Sequence, residues 1–196
     1  MNKIVGIFAD SMRAGKSTVT EEFIKIGYKP LKFAGILKKM LVVFLEENGV
    51  ESPWDYIEGD KRNIYIPNIN VTARKLMQTL GTEWGRDCIF DDIWVNSVIN
   101  KIHADKGTKY VIDDLRFNNE YTALQGIGAW FIKVEREIYT VEHTNHRSEG
   151  ELYGAKAHFT IHNNRELSDL QKSAKIVAYY IDKAGEAHTP TNFQEI

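Results

Sequence analysis

Near-continuous apolar runs recur along the chain at 3–8, 28–33, 109–113, 129–135 and 157–161. A half-buried strand would alternate apolar and polar residues. Runs such as Ile4-Val5-Gly6-Ile7-Phe8 predict parallel strands covered on both faces. Between the runs the spacing turns helical. Leu37, Met40, Leu41, Phe44 and Leu45 follow an i, i+3, i+4, i+7, i+8 pattern, with Gly49 as C-cap. Trp94, Val98 and Ile102 form a second stripe, opened by Asp91 or Asp92 as N-cap. Leu167, Leu170, Ala174, Val177 and Ile181 form a third, and 17–26 reads as a helix ending at Gly27. Each stripe is expected to pack into the core. Strands alternating with helices imply right-handed βαβ units and an open α/β sheet. Segments 51–70 and 136–155 fit neither period, and 184–196 is expected to be a flexible tail behind one domain at 1–183.

A chain of 196 residues with 43% hydrophobic and 27% charged content can bury a full core as one domain. Lysines and arginines number 25 against 27 acidic residues, giving a net charge of −2. That balance argues against a protein that coats nucleic acid, but a few local arginines suffice for a small phosphorylated ligand. Cys88 is the only cysteine, which fits a reducing cytosol, and is expected to fill packing space. The apolar run at 4–9 stops at Asp10, too short for a signal segment or a membrane span. The expectation is a cytoplasmic protein with no membrane partner.

Asp10-Ser11-Met12-Arg13-Ala14-Gly15-Lys16-Ser17 stands where a phosphate-binding loop, G-x-x-x-x-G-K-[ST], would stand between a strand and a helix. Backbone N–H groups of such a loop converge on phosphate oxygens. Arg13, Ala14, Gly15, Lys16, Ser17 and Thr18 are therefore the candidate ATP-binding residues, with Lys16 reaching the β and γ phosphates and Ser17 holding Mg²⁺. Asp10 replaces the first glycine, a position that often takes positive φ; either it turns away from the phosphates or the loop binds ATP less tightly.

A guanine-reading N-K-x-D is missing: Asn100-Lys101-Ile102-His103 lacks the aspartate and lies in a predicted helix. Arg74, Arg86, Arg116, Arg136 and Arg147 cluster near predicted loops and helix ends. Phosphoryl transfer needs such groups to align two anionic substrates and to neutralise moving charge.

The segment Ala73-Arg74-Lys75-Leu76-Met77-Gln78-Thr79-Leu80-Gly81-Thr82-Glu83-Trp84-Gly85-Arg86 resembles the substrate segment of bacteriophage deoxynucleoside monophosphate kinases. So do Phe33-Ala34 with Leu37-Lys38, the run from Ile112 through Asp113-Asp114-Leu115-Arg116 to Glu120, His146-Arg147-Ser148-Glu149, and Ile161-His162-Asn163-Asn164. The resemblance covers about residues 3–182. It implies a P-loop three-layer α/β/α fold like that of nucleoside monophosphate kinases, with five parallel strands in the order 2-3-1-4-5. It also implies ATP, Mg²⁺ and a deoxynucleoside 5′-monophosphate acceptor bound by an insertion at about 51–90. Within it Arg74 and Arg86 would grip or flank the monophosphate, Gln78, Thr82 and Glu83 would read sugar or base, Phe33 would pack on the base, Lys38 would support the acceptor side, and Gly81, Trp84 and Glu120 would be further substrate-binding residues. Asp114 would position Mg²⁺ and Arg116 a phosphate, Arg136 and Arg147 would close a lid at about 136–155, and Asn163 would border the adenine. His143 and His146 are read as lid residues and not as a zinc pair. A kinase of another small acceptor, such as a nucleoside or coenzyme precursor, and a non-catalytic nucleotide sensor are the rival readings. Base choice, homodimer formation and which carboxylate positions Mg²⁺ are left open.

Overall fold

The apolar runs lie side by side as a parallel sheet in the computed structural model, which describes residues 3–11, 13–137, 151–184 and the backbone of 194–195. In chain order the elements are β1 (Ile4–Phe8), α1 (Lys16–Lys25), β2 (Lys29–Pro30), α2 (Gly35–Glu47), α3 (Pro53–Ile57), α4 (Ala73–Gln78), α5 (Ile93–Ala104), β3 (Tyr110–Ile112), α6 (Asn118–Gly126), β4 (Trp130–Glu135), β5 (Phe159–His162), α7 (Leu167–Lys183) and β6 (Gln194–Glu195). Between α3 and α5 stand a 3₁₀ turn at Asp60–Asn63, a hairpin of Tyr65–Ile66 with Val71–Thr72, and a π-helix at Thr79–Ile89. The chain divides into two compact units, Met1–Lys32 with Val98–Ile196, and Phe33–Ser97.

The first unit holds the six-stranded sheet, in the order β2-β3-β1-β4-β5-β6 with every pairing parallel. Its first five strands follow the order 2-3-1-4-5; the detail that differs is β6, inside the segment expected to be a tail, which pairs with β5. β1 is central, with Val5 opposite both Val111 and Trp130, and all five of its residues are buried. That double coverage explains the unbroken apolar run. Val19 and Phe23 of α1 and Leu170, Ala174, Val177 and Ile181 of α7 share one core with Val5, Ile7, Ile132 and Val134. β2 is the edge strand: the Lys29 and Leu31 amides donate to the carbonyls of Lys109 and Val111 at 2.8 and 2.9 Å, so Pro30 between them, with no N–H to donate, costs the ladder no bond.

The second unit has its own core, in which Leu41 and Leu45 of α2 meet Val50, Ile57, Ile66 and Ala73. Segment 51–70, which fitted neither period, contains α3, the 3₁₀ turn and half of the hairpin. Thr72 caps α4, its Oγ1 accepting from the Lys75 amide at 3.2 Å. Cys88 is exposed rather than packed, because it lies on the solvent side of the π-helix. Among the described residues no helix is long and apolar enough to cross a membrane.

Ile132 has no exposed surface and sits at the centre of the sheet core. Ile132→Ala should lower unfolding stability by about 2–5 kcal/mol in urea titration.

Candidate active site

β1 ends at Phe8 and α1 begins at Lys16, and the loop between them is fixed at several points. Gly15 precedes the helix at φ 107°, and a Cβ there would lie 2.7 Å from the Asn163 amide and 2.8 Å from Leu170 Cδ2. Only glycine meets both conditions. Arg13 is also left-handed, at φ 59°. Asp10 is not, so the position that usually carries the first glycine does not need positive φ here. Its carboxylate turns onto β4, 2.7 Å from Lys133 Nζ. The Asn163 side chain donates to the Ala14 carbonyl at 2.8 Å, bracing the loop. That amide, expected beside the adenine, is committed to the loop backbone. Arg136 Nη1 lies 3.4 Å from the Arg13 carbonyl.

Lys16, Ser17 and Thr18 form the first turn of α1, whose leading N–H groups lack helical acceptors and suit an anion. Burial, and then the like charge of Arg116, hold the Lys16 pKa below the ordinary lysine range, against the opposing pull of Asp113 and Asp114. Asp113 follows β3, with Thr20 Oγ1 donating to its Oδ2 at 3.2 Å and Lys32 Nζ 3.7 Å from its Oδ1. Sequence reasoning named Asp114 and left open which carboxylate positions Mg²⁺. Asp113 could have been found as the first carboxylate after the apolar run, where ligands collect in open α/β sheets. Glu120 is 3% exposed, and its Oε2 accepts from the amides of Arg116 at 2.9 Å and Phe117 at 3.2 Å. It fixes the backbone that carries Arg116.

In the second unit α4 runs into the π-helix, a geometry frequent at functional sites. The Phe90 amide bonds back to the Gly85 carbonyl at 3.0 Å, an i→i−5 contact. Trp94 of α5 sets the path of this helix. Its Nε1 donates to the Gly81 carbonyl at 2.8 Å, and a Cβ on Gly85 would sit 2.5 Å from its ring. Gln78 and Thr82 are half-buried, and Trp84 is 41% exposed. Arg74 Nε donates to Asn63 Oδ1 at 2.7 Å, and Glu83 pairs with Lys75 at 2.8 Å. Lys38 pairs with Glu58 at 2.8 Å. Arg86 is buried, and its Nη1 donates to the Asp91 carbonyl at 2.9 Å. Phe33 is 2% exposed, so a base stacking on its ring would have to displace protein atoms. His143, His146, Arg147 and most of the segment expected as a lid lie outside the described residues.

A parallel sheet whose central strand leads through a glycine-pinned turn into a helix with a lysine at its head defines an α/β P-loop protein, and a family match makes it a kinase, a phosphotransferase. A sequence model described as deoxynucleotide monophosphate kinase matches residues 43–174, and the chain belongs to that family. The match takes in Arg74–Arg86 and Asp113–Glu120 but begins after the phosphate loop, so the donor side stands on loop geometry. Among solved structures, dephospho-CoA kinase from Campylobacter jejuni is 16% identical, with 93% of this chain and 99% of that chain covered and a TM-score of 0.47. No curated protein matches the chain.

Gly85→Ala should cost about 1–3 kcal/mol by overpacking the Trp94 ring. Gly126→Ala, where a Cβ meets nothing within 4 Å, is the control and should be neutral or slightly stabilising in the same urea titrations. Equal effects would show that the Trp94 contact does not constrain the π-helix.

Proposed function

We propose that the protein transfers the γ-phosphoryl group of ATP to a deoxynucleoside 5′-monophosphate, giving ADP and the deoxynucleoside diphosphate. The observation that carries this reading is the setting of Lys16, beneath a glycine-pinned anion loop and among Arg116, Asp113 and Asp114, in a chain of this family. An acceptor phosphate oxygen attacks the γ phosphorus as the bond to the β–γ bridging oxygen breaks. The acceptor is already anionic at neutral pH, so no strong general base is required. The task of the chain is alignment and charge stabilisation. Lys16 and Arg116 supply cationic charge to the transferring oxygens, Arg13–Thr18 hold the triphosphate, and Arg136 guards the loop.

The donors present suit Mg²⁺, which takes oxygen ligands and is usually held by one or two carboxylates with substrate phosphates. The Ser17 hydroxyl is exposed on the first turn, and Asp113 and Asp114 follow β3. These residues would hold the ion, which when bound neutralises charge on the phosphates.

Acceptor reading belongs to the segment at about 51–90 in this proposal. Arg74 engages the monophosphate, and Gln78, Thr82 and the exposed face of Trp84 meet sugar and base. Arg86, Lys38 and Glu120 hold the surrounding backbone and side chains in place. The region 1–183 acts as the kinase domain, with 136–155 as its lid.

ADP formation measured over a panel of deoxynucleoside monophosphates should be acceptor-dependent for at least one member. If only nucleosides or coenzyme precursors stimulate it, the acceptor assignment falls. ATP binding with no acceptor-stimulated turnover would instead make the protein a sensor.

Lys16→Met should lower kcat by about 10²–10³-fold or more. A lysine whose folded pKa lies below its unfolded value makes stability rise with pH towards that unfolded value, and its charged form opposes folding at neutral pH. The ligand-free variant should therefore melt no lower than wild type in calorimetry, and a marked fall in Tm would contradict the Lys16 geometry.

A further inference from the structure

Asp10 stands where a phosphate loop normally has no side chain, and its carboxylate has a specific partner. Phe8 is the register partner of Lys133 across β1 and β4, so Asp10, two residues further on, continues the side-chain alternation toward that lysine. Lys133 Nζ lies 2.7 Å from Asp10 Oδ2 and 2.7 Å from Glu135 Oε1. The lysine side chain is 15% exposed and that of Asp10 34%. Burial alone would lower the Lys133 pKa, but the two carboxylates more than reverse it and the group stays charged. On the other side of Glu135, its carbonyl accepts from the Asn163 amide at 2.7 Å, and the Asn163 side chain holds Ala14. The ends of β4 and β5 thus grip the loop at its first and fifth positions.

We propose that Lys133 is a positioning residue of the phosphate loop: by holding and neutralising the Asp10 carboxylate on β4, it lets an acidic residue occupy the first loop position without repelling a bound triphosphate. The proposal rests on the loop being the ATP site. Even at this partly exposed position an uncompensated carboxylate acts over several ångströms on a highly charged ligand. Removing Lys133 while Asp10 stays therefore weakens ATP, whereas removing both does not. The interaction is the same in ground and transition states, so it changes KM for ATP and leaves kcat largely unaltered.

The test is calorimetric titration of the full chain with MgATP, without acceptor, alongside steady-state kinetics. Wild type should bind and Lys16→Met should bind much more weakly; if wild type does not bind, or K16M binds equally, the loop reading fails and this proposal with it. With the loop established, Lys133→Met should weaken ATP by about tenfold and raise KM for ATP with kcat kept within about twofold. Lys133→Arg should retain wild-type affinity. D10G and D10G/K133M should bind ATP alike, while E135Q/K133M should stay as weak as K133M. ATP affinity unchanged in K133M, or a tenfold drop from D10G to D10G/K133M, overturns the role of Lys133 and leaves the ATP site standing. If K133M alone does not fold, the D10G pair still tests the role of Lys133 by the same criterion.

Discussion

The backbone at Gly15 is left-handed in a space that admits no side chain, and much of the first unit is arranged around that point. A central parallel strand must deliver its chain into a helix within a few residues, and the turn must leave amide hydrogens unspent for an anion. Gly15 makes the turn. Asn163 and Leu170 close in on the vacated volume from the β5–α7 side, and Asn163 adds a hydrogen bond to the preceding carbonyl. The loop is therefore held at Asp10, Ala14 and Gly15 by the protein itself. Its shape is braced by the packing of α7 against α1, which share the buried core beneath the sheet.

That bracing allows electrostatics that would be unfavourable elsewhere. Lys16 is partly withdrawn from water and close enough to Arg116 for their charges to oppose one another. Two like charges near a buried position weaken the ligand-free fold, and the apolar core offsets the cost. A polyanionic ligand would reverse the sign of the arrangement, because it adds negative charge beyond that of Asp113 and Asp114. Asp113, tied to α1 through Thr20, keeps the site from becoming uniformly positive. Sites of this kind exchange stability for preorganisation.

The parallel sheet was legible because its strands are buried on both faces, and continuous runs such as Ile4 to Phe8 leave few other readings. The stripes of α2, α5 and α7 were legible for the corresponding reason at helical spacing. The π-helix was not, since its hydrogen bonds skip five residues and break the period that betrays an α-helix. α6 was hidden by its composition: among its buried residues are only Leu124 and Glu120, so it carries almost no apolar stripe. β6 and the hairpin are two-residue pairings, too short for any pattern. In the site, Gly15, Lys16 and Ser17 were legible because their spacing reflects local geometry. The partners of that loop were not. Lys133 and Asp113 were not named as site residues, and Asn163 was named beside the adenine rather than against the loop; all three lie more than ninety residues from their partners in sequence, and no local rule encodes such a meeting.

The same physical device recurs in each unit taken by itself. Gly15 lacks a side chain so that Asn163 and Leu170 can fix the turn; Gly85 lacks one so that the Trp94 ring can fix the π-helix. In both cases a bulky or hydrogen-bonding neighbour occupies the space, and the Trp94 indole N–H adds a bond to the Gly81 carbonyl just as Asn163 does to Ala14. Omitting a Cβ usually loosens a chain, because glycine has the most conformational freedom to lose on folding. Here the freedom is removed by contacts made possible by the omission. Backbone groups in a phosphate loop or a wide helix must be held at angles that ordinary side-chain packing would not produce, and a close neighbour at glycine is a direct way to hold them. Asp10 follows the opposite route: a side chain stands at a position usually left bare, and it is paired with Lys133 on β4.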